Sequence, residues 1–286
     1  MAFASCEKMT EGDITSRDFG APGSYTALEV SNAFDAYVSN TANVITVTAG
    51  ENVMPYVVVE TVNNTLKIYL EPMAIVNVTE LKVVLPYNAN LTHVDLSGAS
   101  SFHSEYMLQG SAVEVKLSGA SAFHCDLDAD NMNIGMSGAS VFLGDAIGDK
   151  IDMDLSGSSE FFGDLTANEI EAELSGSSRV TGEVLTANLD LDMTGASDAS
   201  LVGVANNLTL DLSGASDILR NVIDHRYGLV CDHCEGELSG ASTAHIHCDG
   251  TILVHLSGAS VLRYSGDANT TGSTVDGGSE IFHDVF

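Results

Sequence analysis

The phrase Leu-Ser-Gly-Ala-Ser at residues 96–100 returns, with small changes, down the C-terminal two-thirds of this 286-residue chain. Its central glycines are Gly98, Gly119, Gly138, Gly157, Gly176, Gly195, Gly214, Gly240, Gly258 and Gly277, separated by 21, 19, 19, 19, 19, 19, 26, 18 and 19 residues. A fixed period near 20 constrains the fold more than any other feature. It calls for a solenoid, in which each repeat buries its apolar face only on its neighbours.

Aligned on that glycine, the repeats form columns. Two residues before it stand Leu96, Leu117, Met136, Leu155, Leu174, Met193, Leu212, Leu238, Leu256 and Val275. Four and six before it the apolar residues continue, with Gly236 and Ser273 as exceptions in the nearer column. Alternation over six residues is the pattern of a half-buried strand and excludes a helix. Two residues after the glycine comes a serine, and four after it Phe102, Phe123, Phe142 and Phe161 head a further inward column. These phenylalanines predict an aromatic ladder, one ring per coil. Ala-Asn pairs such as Ala167-Asn168 and Ala187-Asn188 supply the corner, since asparagine tolerates the left-handed conformation. The expectation is an all-β chain: a right-handed parallel β-helix of about ten coils over residues 91–286.

Residues 26–90 lack the glycine phrase but carry short alternating runs: 27–31, 34–38, 44–48, 56–61, 66–70, 75–79 and 81–85. They read as a β-rich N-terminal cap that covers the first coil, whose apolar end would otherwise be exposed and unpaired. Residues 1–25 read as a leader remnant and tether. Within them Phe3-Ala4-Ser5-Cys6 is similar to a lipoprotein cleavage site, in which the cysteine carries the lipid. Cys6 is therefore the candidate lipidation site, and a lipid anchor the only membrane association expected.

Forty acidic residues stand against ten basic ones, a formal net charge of −30. Nucleic acid, whose phosphates select Lys and Arg patches, is excluded as a partner on that balance. Five cysteines are too few for a disulfide scaffold in a chain of this length.

The runs Phe34-Asp35-Ala36-Tyr37-Val38-Ser39, Val44-Ile45-Thr46-Val47, Glu51-Asn52-Val53-Met54-Pro55-Tyr56, Asn64-Thr65-Leu66-Lys67-Ile68 and Leu81-Lys82-Val83-Val84-Leu85-Pro86 occur in that order before the first Leu-Ser-Gly-Ala-Ser. In this order they resemble the head GIN domain family of auto-transporter adhesins over roughly residues 28–280. The resemblance implies a β-helical, exported protein of the Gram-negative cell envelope, often a lipoprotein. It supplies no catalytic residues.

Three constellations could carry chemistry. His103 and Glu105 on one coil face His124 and Asp126 on the next, a rectangle suited to a divalent metal. Two acidic columns run along the coils, one three residues before the glycine (Asp154, Glu173, Asp192, Asp211, Glu237) and one seven after it (Glu105, Asp126, Asp145, Asp164, Glu183). They invite hard cations such as calcium, or form a merely solvated face. Cys231-Asp232-His233-Cys234 with His245, His247, Cys248 and His255 has the look of a zinc site. Register favours core packing instead, because Cys234 and Cys248 both fall in inward columns; a disulfide across that coil and a metal stay open.

The coils differ mainly in surface residues, which favours a non-catalytic, adhesin-like binding or structural module with a glycan or protein as ligand. No cofactor is called for, apart from a divalent cation at one of the acidic sets. The competing reading is a polysaccharide-active enzyme, which needs two carboxylates around one bond. Arg179, Arg220, Arg226 and Arg263 are scattered one to a coil, against that reading. The insertion Asp224–Cys231, which makes the 26-residue step, reads as a loop on one face.

Overall fold

The computed structural model describes residues 10–72, 78–219 and 228–284. They form a parallel β-solenoid with an antiparallel lid at its N-terminal end. One turn of 3-10 helix, Met54–Tyr56, interrupts the strands.

The lid and first coils are built from β1 (Ile14–Asp18), β2 (Ala27–Val30), β3 (Asp35–Ser39), β4 (Thr46–Gly50), β5 (Val57–Val62), β6 (Thr65–Leu70), β7 (Leu81–Pro86), β8 (His93–Leu96) and β9 (Ser101–His103). Their spatial order differs from their chain order. β2 pairs in parallel with both β6 and β8, and β3 with both β7 and β9. The β2–β3 segment is thus a complete coil between the β6–β7 coil and the first glycine coil. Outside it, β5 adds to β6, and β4 to β7, in antiparallel fashion. β1 closes the edge of β4. Edges pointing outward in this way do not template another parallel coil.

Six of the strands read from the sequence are here within two residues. Of the seventh, 75–79, the first three residues lie outside the described set, and Val78 and Thr79 are not in a strand. β1 lies in the stretch read as an irregular lead-in. Its Ile-Thr-Ser-Arg-Asp sequence has no apolar alternation and every residue is exposed. Backbone pairing with β4 holds it, together with exposed side-chain bonds of Ser16 with Thr48 and of Thr46 to Asp18, each at 2.8 Å, and none of these shows as apolar alternation.

The glycine coils repeat one plan, seen in β10 (Leu108–Leu117), β11 (Ala122–His124) and β12 (Leu127–Met136). Along β12 the buried residues are Leu127, Ala129, Met132, Ile134 and Met136. The parity slip between Ala129 and Met132 marks a corner, where the pairing with β10 skips a residue on each strand. The glycine phrase makes a second corner and the stretch after β11 a third. Each coil is therefore three-sided around one continuous core.

Phe102, Phe123, Phe142 and Phe161 are fully buried, with ring centroids 5.3, 4.8 and 4.7 Å apart along the ladder. The serine column is buried as well, which its polarity would not suggest. Apart from Ser140, whose hydroxyl has no partner, its hydroxyls donate to carbonyls, as Ser121 does to Ser118 at 2.6 Å and Ser260 to Leu238 of the previous coil at 3.0 Å. In a buried donor with a partner the internal bond offsets the cost of desolvation.

From Gly138 to Gly277 the glycine is required twice over at its corner. Gly138 has φ +77°, and a Cβ there would lie 2.3 Å from the Gly119 carbonyl oxygen. That oxygen accepts the Ala139 N–H at 2.7 Å. The coils meet backbone to backbone at this line, and no side chain fits between them.

Phe142→Ala should lower stability in chemical denaturation by about 3–5 kcal/mol, the usual cost of an aromatic cavity. Gly138→Ala should cost at least about 2 kcal/mol, from the left-handed backbone together with the clash. A loss below about 1 kcal/mol in either variant contradicts the placement.

Candidate functional site

The junction of the lid coil with the first glycine coils is where the outer surface becomes aromatic. Alternation along β3 and β9 buries Ala36 and Phe102, so the next residues, Tyr37 and His103, point outward in register. β11 continues the column with His124. Tyr37 and His103 are stacked, centroids 4.7 Å apart and 10° between planes, and His124 meets His103 edge-on at 4.4 Å. Lys82 sits over the other face of Tyr37, 4.7 Å from its centroid. This is a cation–aromatic stack held by strand register.

Behind the stack, Ser101 donates to Asp35 at 2.6 Å and its oxygen lies 2.9 Å from His103 Nε2. With its own proton given to Asp35, Ser101 accepts from His103, which places the imidazole proton on Nε2 and leaves Nδ1 as the acceptor. Burial, and then the neighbouring His124, hold the His103 pKa below the ordinary histidine range, partly offset by Asp35. The ring is neutral at pH 7. Beside it a cavity of about 520 Å³ is lined by residues that include Tyr37, Asn40, His103, Glu105, Tyr106 and His124. Ser104 fixes Tyr106 by accepting its N–H at 3.0 Å and donating to its carbonyl at 2.6 Å. Tyr87 packs on Tyr106 with centroids 4.8 Å apart and is 44% exposed.

Of the metal rectangle expected from the sequence, His103 and His124 touch and Glu105 lines the same cavity. Asp126 turns away, because its carboxylate accepts the Asp145 N–H at 2.9 Å. Among the described residues no three His, Cys, Asp or Glu side chains are grouped to hold a metal ion. Cys6 lies outside the described residues, as does the first half of the insertion Asp224–Cys231; its end begins the strand Leu229–Leu238.

The same hydrogen bond recurs up the acidic column seven after the glycine. Asp145 accepts the Asp164 N–H and Asp164 the Glu183 N–H, both at 2.8 Å. These aspartates cap the corner of the next coil, a backbone task that the sequence pattern could not distinguish from ion binding. The other column is in register from Asp154 through Glu173, Asp192 and Asp211 to Glu237. Lys150 bonds Glu169 and Glu171, each at 2.9 Å, and lies 3.3 Å from Asp152 beside it. Partial burial, and then the neighbouring carboxylates, raise the pKa values of Asp190 and Asp192.

Cys234 and Cys248 are buried in the core as their register suggests; Cys231, which the register reading did not place, is buried with them, and the three are unlinked. Tyr37, Lys82, Tyr87 and Tyr106 were not singled out by the sequence reading. The signal was present in Leu28-Glu29-Val30-Ser31-Asn32-Ala33, which matches Val94-Asp95-Leu96-Ser97-Gly98-Ala99 with asparagine for glycine. Asn32 has φ +63° and Gly98 +69°. Reading that match puts Tyr37 next to His103.

Asp190 and Asp192 have folded pKa values above their unfolded ones, so the folded state binds more protons just above the ordinary aspartate range. Their contribution to stability therefore rises as pH falls into that range. Asp190→Asn should raise the thermal midpoint at neutral pH in low salt, and the gain should shrink in 0.5 M salt (a chosen concentration at which screening is strong). Calcium and sodium chloride at matched ionic strength should raise the wild-type midpoint equally. A saturable shift with calcium alone contradicts the corner-capping and self-repulsion account of these columns.

A search among curated proteins returns no match. Among solved structures the chain resembles a putative adhesin from Parabacteroides distasonis, with a TM-score of 0.56 and 16% identity over 97% of this chain and 98% of that one. A putative adhesin from Parabacteroides merdae aligns at a TM-score of 0.47 and 16% identity, covering 97% and 99% of the two chains. A putative lipid binding protein from Parabacteroides distasonis aligns at 0.48 and 16%, covering 98% and 100%. At these identities the first of them supports the fold alone. The family profile described as "Putative auto-transporter adhesin, head GIN domain" matches residues 24–164 and 149–268. The chain belongs to that family.

Proposed function

We propose that this protein is a non-catalytic, adhesin-like binding module of the bacterial cell envelope. In this reading it is exported, anchored to the outer membrane of a Gram-negative bacterium through a lipid on Cys6, and holds a surface glycan or protein at the junction between lid and solenoid. The observation that carries the reading is the cavity beside Tyr37, His103 and Tyr106, where aromatic and polar groups gather at a break in the repeating surface. Aromatic rings framed by hydroxyl, amide and carboxylate groups suit a ligand with both apolar and hydroxylated surface.

The family supports an adhesin-like role at the cell surface. The chemistry of the cavity supports binding over turnover. Glu105 is the one carboxylate among the residues lining it, whereas glycoside hydrolysis employs two across the scissile bond. Asp126, the other carboxylate that the sequence placed in this set, is engaged with the backbone of the next coil.

The test is an array of envelope glycans and matrix proteins probed with the wild type and with Tyr37→Ala, His103→Ala and Tyr106→Ala. Leu185→Ala, an exposed change on another side of the solenoid, serves as the control. Binding should fall at least about tenfold in the junction variants, equivalent to about 1.4 kcal/mol, and stay unchanged in the control. Loss in the control alone, or release of sugar from a bound glycan, contradicts the reading. Radiolabelled fatty acid should enter the full-length precursor but not its Cys6→Ser version; equal labelling removes the anchor from the proposal.

A further inference from the structure

Three thiols meet in the core where the long step disturbs the repeat. Cys231 and Cys234 lie on the strand Leu229–Leu238, and Cys248 on Thr243–Leu256 of the next coil. All three are at most 2% exposed and unlinked. The Cys248 thiol donates to the carbonyl of Asp232, the residue next to Cys231, at 3.4 Å. The partner of Cys248 across the coils is Cys231 and not Cys234, the residue weighed with Cys248 for a disulfide across this coil. The strands slip between Cys231 and His233, so that Cys231 is opposite Cys248 while Cys234 is opposite Ile252.

We infer that Cys231 and Cys248 form a disulfide that staples these two coils, with Cys234 remaining a thiol. Opposed residues on adjacent parallel strands have Cα atoms about 4.8 Å apart, inside the range a disulfide spans. Both side chains point inward, which brings their sulfurs together. Cys234 is three residues along from Cys231 and faces an isoleucine on the next coil, so it has no such cross-coil partner. The staple sits directly after the region where the repeat is longest, and there it fixes the register that the insertion disturbs.

The bond forms before the coil closes. A neighbouring thiol, and then burial, push both pKa values upward, so the folded thiols hold little of the thiolate that exchange requires. In the opening chain one cysteine thiolate attacks a disulfide of a thiol–disulfide oxidant and releases one of its sulfurs as a thiol. The second cysteine then attacks the mixed disulfide and releases the other sulfur. Two protein S–H bonds are exchanged for one S–S bond, and the oxidant is reduced to two thiols. Glutathione disulfide can serve as that oxidant in vitro, so the proposal does not depend on where the chain resides in the cell.

The test is refolding of the full chain in a glutathione–glutathione disulfide buffer, followed by alkylation in denaturant and digestion without reductant. Mass spectrometry should show a product lighter by two hydrogens, with a Cys231 peptide joined to a Cys248 peptide and Cys234 alkylated. Reductant should leave the link intact in the folded protein and break it in denaturant. Cys234→Ser should keep the link, and Cys248→Ser should lose it. Alkylation of all three cysteines, or a Cys231–Cys234 link, overturns the inference, and the wild-type map alone decides it if a variant does not fold.

Discussion

Everything in this molecule depends on the close approach of one backbone corner to the next. At Gly138 the would-be Cβ lies 2.3 Å from the preceding glycine's oxygen, and at Gly157 2.6 Å. With only hydrogen on that carbon, the amide after each glycine reaches the carbonyl of the previous one at 2.7 Å, from Ala139 up to Gly278. That contact brings the inward columns into van der Waals range, so that the phenylalanines stack ring on ring. The hydrophobic effect drives the stacking, but the glycine line sets the distance at which it operates.

A stack of identical coils must also be started. Here the starting coil is non-consecutive: β2 and β3 are laid down first, and the chain then passes outward through the lid before returning as β8. At its corner Asn32 replaces glycine, and its side-chain oxygen accepts the Leu70 N–H at 3.1 Å. An asparagine can adopt the left-handed backbone and also close the upper surface, where no further glycine corner arrives. The same irregularity brings Tyr37, Lys82 and Tyr87 beside His103 and Tyr106, so that the capping of the solenoid and the building of its surface cavity have one origin.

Much of this was legible in the residues. The ten glycines, the alternation before them and the Phe column led to the coil, and the cap strands from Ala27 to Leu85 were visible as apolar alternation. Three things were hidden, each for a physical reason. β1 carries no apolar pattern because backbone pairing and exposed polar contacts to β4 hold it. Asp126, Asp145 and Asp164 looked like a column of repelling charge because a carboxylate bound to an amide reads the same as one bound to a cation. The Tyr37–His103 stack joins residues far apart in sequence, and only the Asn-for-Gly copy of the repeat betrays it.

Native-state hydrogen exchange at the corner amides tests the central claim most directly. Amides at exposed turns ordinarily exchange fast, whereas a bond to the preceding coil's glycine ties them to the stability of the stack. The account predicts that Ala139, Ser158, Ser177, Ala196 and Ala215 exchange as slowly as the strand amides of Met136, Leu155 and Leu174. Corner amides that exchange at free-peptide rates while those strands stay protected would contradict it, and would mean that the coils are held together without the glycine line.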